Sequence, residues 1–336
     1  FVLFLSNKHH MVKLYSSTPN YHPELKNQTQ LSNVSEEEFM KAWDPRDYKW
    51  YHRLFQAFYF IIFLGPIRAL IGFSVFILSC CIIDLFRLLV HALNLPFDTG
   101  RDICISIANF GFRFLLFSFG ILYIKVNGKI NPKTRIIISN HTAYVDPMVI
   151  SCIHHVSVVM KAEVASTAAI RLLMEIVDPV YVNRSVHTGA SKLVIERANN
   201  FKENPVLIFP EATMNNGDHL LKFHRGAFLT NQKVQPFCIR YWQPLVPHGW
   251  NQYAWTEATL PIYLFEVLSM PFTFVSVDIL DPITLDVEGK GDINTFTTYA
   301  QLYMANHLGV KAITHSSNEI FMCQKESQQQ QPSKKN

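Results

Sequence analysis

Apolar and polar positions divide the chain into stretches of different texture. Residues 1–50 are mostly polar, carry the acidic run SEEEF and read as a mobile arm that ends in a capped helical turn. From 54 to 83 the balance inverts: LFQAFYFIIFLGPIRALIGFSVFILSCCII holds one charge, Arg68, and Gly65-Pro66 interrupts it a little before its middle. The pieces on either side, about 11 and 17 residues, are each short of the ~20 that a perpendicular spanning helix needs. Gly-Pro sits where a turn falls, so the pattern predicts a hairpin dipping into one leaflet with Arg68 snorkelling beside it. A single kinked span and a buried soluble helix pair are the competing readings.

A second apolar stretch, 112–126, is bounded by Arg113 and Lys125 and reads as an interfacial or core helix running into a strand. After Asn127-Gly128 short β-branched runs alternate with helical patterns. Strands are expected at 135–139, 156–161, 180–183, 206–209, 234–241 and 273–280, and helices at 144–153, 163–177, 188–200 and 295–307. That alternation predicts an α/β fold with a largely parallel central sheet flanked by helices, preceded by a membrane-associating helical hairpin. The expected divisions are a polar arm at 1–50, a membrane-associating region at 51–124, a catalytic-type domain at 125–323 and a disordered, low-complexity tail at 324–336.

Composition sharpens this picture in two places. Forty-nine per cent hydrophobic residues against 17% charged is hard to hide in one soluble domain of 336 residues and adds weight to membrane contact. A net charge of +4, with no basic stripe interleaved with aromatics, argues against nucleic acid as a partner. The six cysteines, Cys80, Cys81, Cys104, Cys152, Cys238 and Cys323, lack metal-ligand spacing and read as reduced, mostly buried thiols. Glycosylation sequons begin at Asn27, Asn33, Asn140 and Asn183, but the pattern alone is weak.

Candidate chemistry lies where apolar runs end in polar residues. IIISNHTAYVDPMVI takes a buried strand to Asn140 and opens a helix near Ala143 or Tyr144. His141 therefore falls at the carboxyl edge of the sheet, where open α/β folds bind ligands. Five residues through a turn can return Asp146 to His141, so that the carboxylate accepts one imidazole N–H and the other nitrogen serves as a base. An ordinary loop is the alternative. In VLIFPEATMNNG the strand stops at Pro210 and leaves Glu211 and Thr213 at its exit, suited to a polyol hydroxyl, a cation or a simple turn cap. In PVYVNRS a strand runs into Arg184, suited to bidentate phosphate binding or to a surface salt bridge. KFHRGAF adds Lys222, His224 and Arg225 as cationic donors. Adjacent histidines, His9-His10 and His154-His155, point to opposite faces of a strand and ligate one ion poorly, so no metal is expected.

Four blocks in this order, NHTAYVD, VYVNRS, FPEAT and VQPFCIRY, resemble the glycerolipid acyltransferases over about 125–241. YAWTEATLP and LGVKAIT resemble the branch that acts on lysophosphatidylcholine and lysophosphatidylethanolamine, extending the likeness to about residue 323. The resemblance implies that His141 is the general base and Asp146 its orienting partner, with the acceptor hydroxyl attacking an acyl-CoA thioester. It implies that Arg184 binds the acceptor phosphate, Glu211 contacts a glycerol hydroxyl, and Thr213 and Gly217 shape the loop. The resemblance also implies a phosphate contact for Lys161, in Lys161-Ala162-Glu163, and the cationic Lys222 and Arg225 of KFHRGAF are expected to add to it. One residue departs from the pattern: Ala212 stands where the family usually has glycine. If that position requires positive φ, alanine costs about 1 kcal/mol and can displace Glu211. No D-x-D-x-D-G calcium loop follows. The expectation is a membrane-bound acyl-CoA:lysophospholipid O-acyltransferase of the endoplasmic reticulum, with acyl-CoA as co-substrate and no bound cofactor. A glycerol-3-phosphate acyltransferase and a non-catalytic membrane-binding homologue are the alternatives.

Overall fold

In the computed structural model, which describes residues 23–43, 49–96, 99–161, 179–182, 189–200, 204–243, 253–254 and 259–319, the apolar run folds as two helices. Helix α2 (Trp50–Ile62) stops at Phe63, and Leu64 turns the chain at φ +55° into Gly65 and Pro66, which open α3 (Gly65–Ala92). A Cβ at Gly65 would meet the Phe60 ring at 2.6 Å, so the turn accepts only glycine there. The break thus falls at the expected Gly-Pro, but the second arm is longer than the pattern indicated. Helix α3 continues past Ile83 through Asp84 and Arg87 to give 28 residues. At 1.5 Å per residue that is about 42 Å, long and apolar enough to cross a hydrocarbon core of ~30 Å. Charges at 84 and 87 marked the end of the apolar run, not of the helix, because one side of a helix can carry charge without a break in its hydrogen bonding.

Arg68 does not snorkel. Its side chain is turned inward and only 7% exposed, with Nη1 donating to the Pro271 carbonyl at 2.9 Å. Nη2 donates to the carbonyls of Leu268 at 3.0 Å and Met270 at 2.7 Å. These carbonyls close α7 (Leu260–Leu268), whose end would otherwise present unpaired acceptors. Arg53 of α2 likewise reaches Glu266 of α7 at 3.1 Å. With the charges used inward, Leu54, Phe58, Ile61, Leu70, Ile77, Leu85 and Leu88 face outward. Helix α4 (Arg101–Ser118) returns antiparallel against α3, and a Cβ at Gly72 would lie 2.5 Å from the Phe114 carbonyl oxygen across that contact.

Among the described residues the main sheet has seven strands: β1 (Ile121–Asn127), β2 (Ile136–Ser139), β3 (Ser157–Lys161), β4 (Val180–Val182), β5 (Val206–Ile208), β7 (Val234–Trp242) and β8 (Thr273–Ile279). Their order across the sheet is β1-β8-β7-β2-β5-β3-β4. Every pairing is parallel except β7 with β8. The largely parallel α/β architecture is therefore the observed one. Ile137 of β2 and Phe237 of β7 join one core with Phe112 and Leu116 of α4 and Val149 of α5 (Asp146–Ser151). Ile136, Ile138 and Cys238 join the opposite core with Val194 of α6 (Gly189–Asn199) and Phe296 and Met304 of α8 (Ile293–Leu308). Both faces are covered, which is why these strands read as continuous apolar runs instead of alternating ones. The thiols of Cys80, Cys152 and Cys238 are buried and free, and burial pushes that of Cys152 up to about 12.

The amino-terminal arm departs from expectation over its described part. Residues 23–43 are seated on the domain. Gln28 bonds Asn306 and the Val310 carbonyl, and Ser32 donates to Ala312 at 2.7 Å beside the short parallel pair β6 (His219–Leu220) and β9 (Lys311–Ala312). Ser35 caps α1 (Glu36–Met40), accepting from the Glu38 amide, and Phe39, Ala42 and Trp43 bury against Leu221 and Ile313. A short cluster of apolar residues within a polar sequence is enough to dock it. The helix expected at 163–177, the tail at 324–336 and Arg184 lie outside the described residues.

Candidate active site

Parallel strand order brings the carboxyl ends of β2, β3, β4, β5 and β7 to one edge of the sheet. Beyond β2, the Asn140 side chain continues the ladder: its Nδ2 donates to the Ile239 carbonyl at 3.0 Å and its Oδ1 accepts the Ile239 amide at 2.8 Å. Buried and fully engaged, Asn140 is a strand extender, and the sequon there is coincidental. The next residue, His141, packs its ring on Phe209 with centroids 4.0 Å apart and keeps 18% of its side chain exposed.

Asp146 sits in the first turn of α5, fully buried, with Oδ2 3.0 Å from His141 Nδ1. The same oxygen accepts the amides of Thr142 and Ala143, both at 2.8 Å, and Oδ1 accepts the Tyr241 hydroxyl from β7. An ionised carboxylate only accepts, so Nδ1 carries the imidazole proton and Nε2 is the basic nitrogen. Burial, followed by the Asp146 charge, pushes the Tyr241 phenol well above its ordinary value and keeps it a donor. The arrangement can take a proton at Nε2 and stabilise the resulting imidazolium.

Glu211, 1% exposed, follows β5 and points into the protein. Its Oε1 accepts the His141 amide at 3.1 Å; its Oε2 accepts Asn215 Nδ2 at 2.9 Å and the Leu221 amide at 3.1 Å. Burial pushes its carboxyl up to about 7, against three hydrogen bonds that favour the charged form. Ala212 has φ +60°, so this position does require the left-handed conformation that glycine supplies cheaply. All three Glu211 contacts are nevertheless in place: alanine strains the turn without displacing the carboxylate.

Thr213 lies half-buried in the ensuing loop, its hydroxyl 3.4 Å from the Met214 carbonyl. Gly217 adopts φ +88° and donates its amide to Asn215 Oδ1 at 2.7 Å. The 222–225 turn folds back on the exit of β5 through the His224 amide and the Pro210 carbonyl, 2.8 Å apart. The side chains of Lys222 and Arg225 are exposed there, and Arg225 reaches Asn294 at 3.4 Å. Among the described residues, neither bonds to His141, Asp146 or Glu211. Lys161 ends β3 opposite Val182 of β4, and so stands at the same sheet edge. The hydrogen bonds by which Tyr241, Asn140 and Asn215 support the site have no local signal in the sequence. Tyr241 lies within VQPFCIRY, yet its partner Asp146 is 95 residues away in the chain.

Residues 124–247 match the family model described as Acyltransferase. The mouse (Mus musculus) lysophospholipid acyltransferase LPCAT4 is 30% identical over 261 residues, covering 75% of this chain and 49% of that protein. Lysophospholipid acyltransferase LPEAT2 of Arabidopsis thaliana is 27% identical over 220 residues, covering 63% and 40%. Lysophosphatidylcholine acyltransferase 1 of Danio rerio is 30% identical over 211 residues, covering 61% and 40%. The chain thus spans less than half the length of these curated relatives, and the family-model match includes the sheet edge that carries the His141–Asp146 pair. By the matched domain and by these relatives, the chain belongs to the glycerolipid acyltransferase family.

Proposed function

We propose that this protein is a membrane-bound O-acyltransferase that moves an acyl group from acyl-CoA to the free hydroxyl of a lysophospholipid. The observation that carries the reading is the 3.0 Å contact of His141 Nδ1 with an Asp146 carboxylate locked by two amides and a phenol. His141 Nε2 removes the hydroxyl proton as that oxygen attacks the thioester carbonyl. The tetrahedral adduct then expels the CoA thiolate, and the imidazolium returns the proton to the sulfur. Asp146 holds the ring and balances its transient charge. Glu211 fixes the His141 amide and, as the family resemblance implies, faces the glycerol hydroxyl of the acceptor. Arg184, Lys161, Lys222 and Arg225 supply cationic groups for the acceptor phosphate, while Thr213 and Gly217 shape the loop beside it. The outward apolar faces of α2 and α3 support a membrane location, expected at the endoplasmic reticulum, where both substrates partition. No bound cofactor or metal is required by this chemistry.

Relatives named for lysophospholipids favour that acceptor over glycerol 3-phosphate. The test is a panel of lysophospholipids and glycerol 3-phosphate offered to the detergent-solubilised protein with one acyl-CoA, with products separated chromatographically. Acylated lysophospholipid is expected, and His141→Ala should lower its formation about 10²- to 10⁴-fold while membrane association persists. Product from glycerol 3-phosphate alone would overturn the lysophospholipid reading, and comparable turnover in the variant would overturn the general base.

A further inference from the structure

Residues 213–218 have no regular structure and run from a left-handed residue, Ala212 at φ +60°, to another, Gly217 at φ +88°. Within the loop Asn215 Oδ1 accepts the Gly217 amide at 2.7 Å and Asn216 Oδ1 the Asp218 amide at 3.0 Å; these bonds shape its turns but tie it to nothing else, so its placement is set from outside. On one side lies the site. Asn215, buried, donates its amide to the His141 carbonyl at 3.3 Å and its Nδ2 to Glu211 Oε2 at 2.9 Å. His141 is thereby gripped at both backbone groups, the amide by Glu211 and the carbonyl by Asn215.

On the other side lies the arm. Trp43, 6% exposed, donates its indole Nε1–H to the Met214 carbonyl at 2.8 Å. The Ala42 carbonyl accepts the Asn216 amide at 3.1 Å, and the Lys41 carbonyl accepts Asn216 Nδ2 at 3.5 Å. Three consecutive arm residues thus hold loop positions 214 and 216, while position 215 between them holds His141 and Glu211. The arm has its own anchors. Phe39 packs edge-on against Trp43 at 5.1 Å and stacks on His315 at 4.7 Å, and Lys311 pairs with Glu38 at 2.6 Å.

We infer that Trp43 is a positioning residue for the reaction: its indole N–H holds the 213–218 loop, and through Asn215 and Glu211 it sets the acceptor side of the site around His141. The inference rests on the lysophospholipid acyltransferase reading for its kinetic consequence, but not for its structural one. In a buried arm–loop contact, an indole N–H is a specific donor that a benzyl ring cannot replace.

The test compares the full chain with its Trp43→Phe and Gln28→Leu variants in detergent micelles. Trp43→Phe keeps an aromatic ring and removes the donor; Gln28→Leu removes the side-chain anchors of the arm at the Val310 carbonyl and the Ala312 amide and leaves its backbone bond to Asn306 and the loop contacts untouched. In Trp43→Phe the KM for lysophospholipid should rise about fivefold, the scale of one lost hydrogen bond, with the KM for acyl-CoA unchanged. Amide hydrogen exchange in the 211–221 peptide should accelerate. Gln28→Leu should leave both Michaelis constants at their starting values. Simple loss of folded enzyme lowers the maximal rate but moves neither constant. Unchanged exchange in Trp43→Phe overturns the inference, as does faster exchange with an unchanged acceptor KM or an equal rise in Gln28→Leu. Should the parent chain transfer nothing to lysophospholipid, the functional reading fails, and the exchange measurement still decides whether Trp43 holds the loop.

Discussion

Among the described residues Asp146 accepts four hydrogen bonds, and the one from Tyr241 alone comes from outside its own turn. Tyr241→Phe leaves one carboxylate oxygen without that donor in a fully buried position. It should cost about 1–3 kcal/mol of stability by chemical denaturation, and the proposed transfer rate should fall with it. An unchanged denaturation midpoint would show that the phenol does not support the pair. At Ala212 the strain has the opposite sense. Ala212→Gly should raise stability by up to about 1 kcal/mol, less the extra freedom glycine gains in the unfolded chain. Because Glu211 already makes its three contacts, turnover should stay within about twofold, well under the tenfold that ~1.4 kcal/mol would bring. A chain that is silent as it stands and active after Ala212→Gly would instead mark alanine as the cause of a lost activity. The His141–Asp146 pair was legible because both residues lie in one turn. Tyr241 and Trp43 were not, because a partner 95 or 171 residues distant leaves no local periodicity.

At the level of elements, the hairpin was legible at Gly65-Pro66 and misjudged in its length and in the direction of its charge. Hydropathy records that Arg68 interrupts an apolar run; it cannot tell whether the guanidinium faces a headgroup or three carbonyls at the end of α7. Helix α7 itself, LPIYLFEVL, carries too few polar residues to show a face and was not foreseen. Nor were β6 and β9, whose two residues each are too few for a period of two. Arg68 makes the junction of α3 with the domain stiff and specific. Arg68→Met preserves the apolar character of α3 but orphans the carbonyls at the end of α7. We expect a loss of about 2 kcal/mol or more, read as a lower melting temperature in detergent, while the protein still sediments with membranes. Release into the soluble fraction would contradict a membrane attachment that rests on the outer faces of α2 and α3.

For the molecule as a whole, the sheet order could be anticipated only as far as its parallel character, because strands buried on both faces share one composition whatever their neighbours. The covering cores, one with α4 and α5 and one with α6 and α8, emerge only when alternate residues of β2 and β7 are traced to opposite sides. The polar arm shows the same limit in reverse. Four buried residues within ten positions, Val34, Phe39, Ala42 and Trp43, dock a segment whose composition resembles that of an unfolded one. That docking has a consequence for how the protein meets its substrate. Trp43, against the loop, and Trp50, at the start of the apolar helices, are seven residues apart in the chain, which spans about 25 Å at most. The site is leashed to the surface from which a lysophospholipid would come. On the proposed reading, its supply is two-dimensional: the effective concentration is the mole fraction in the leaflet, and diluting the acceptor with inert lipid should slow the enzyme even at constant bulk concentration.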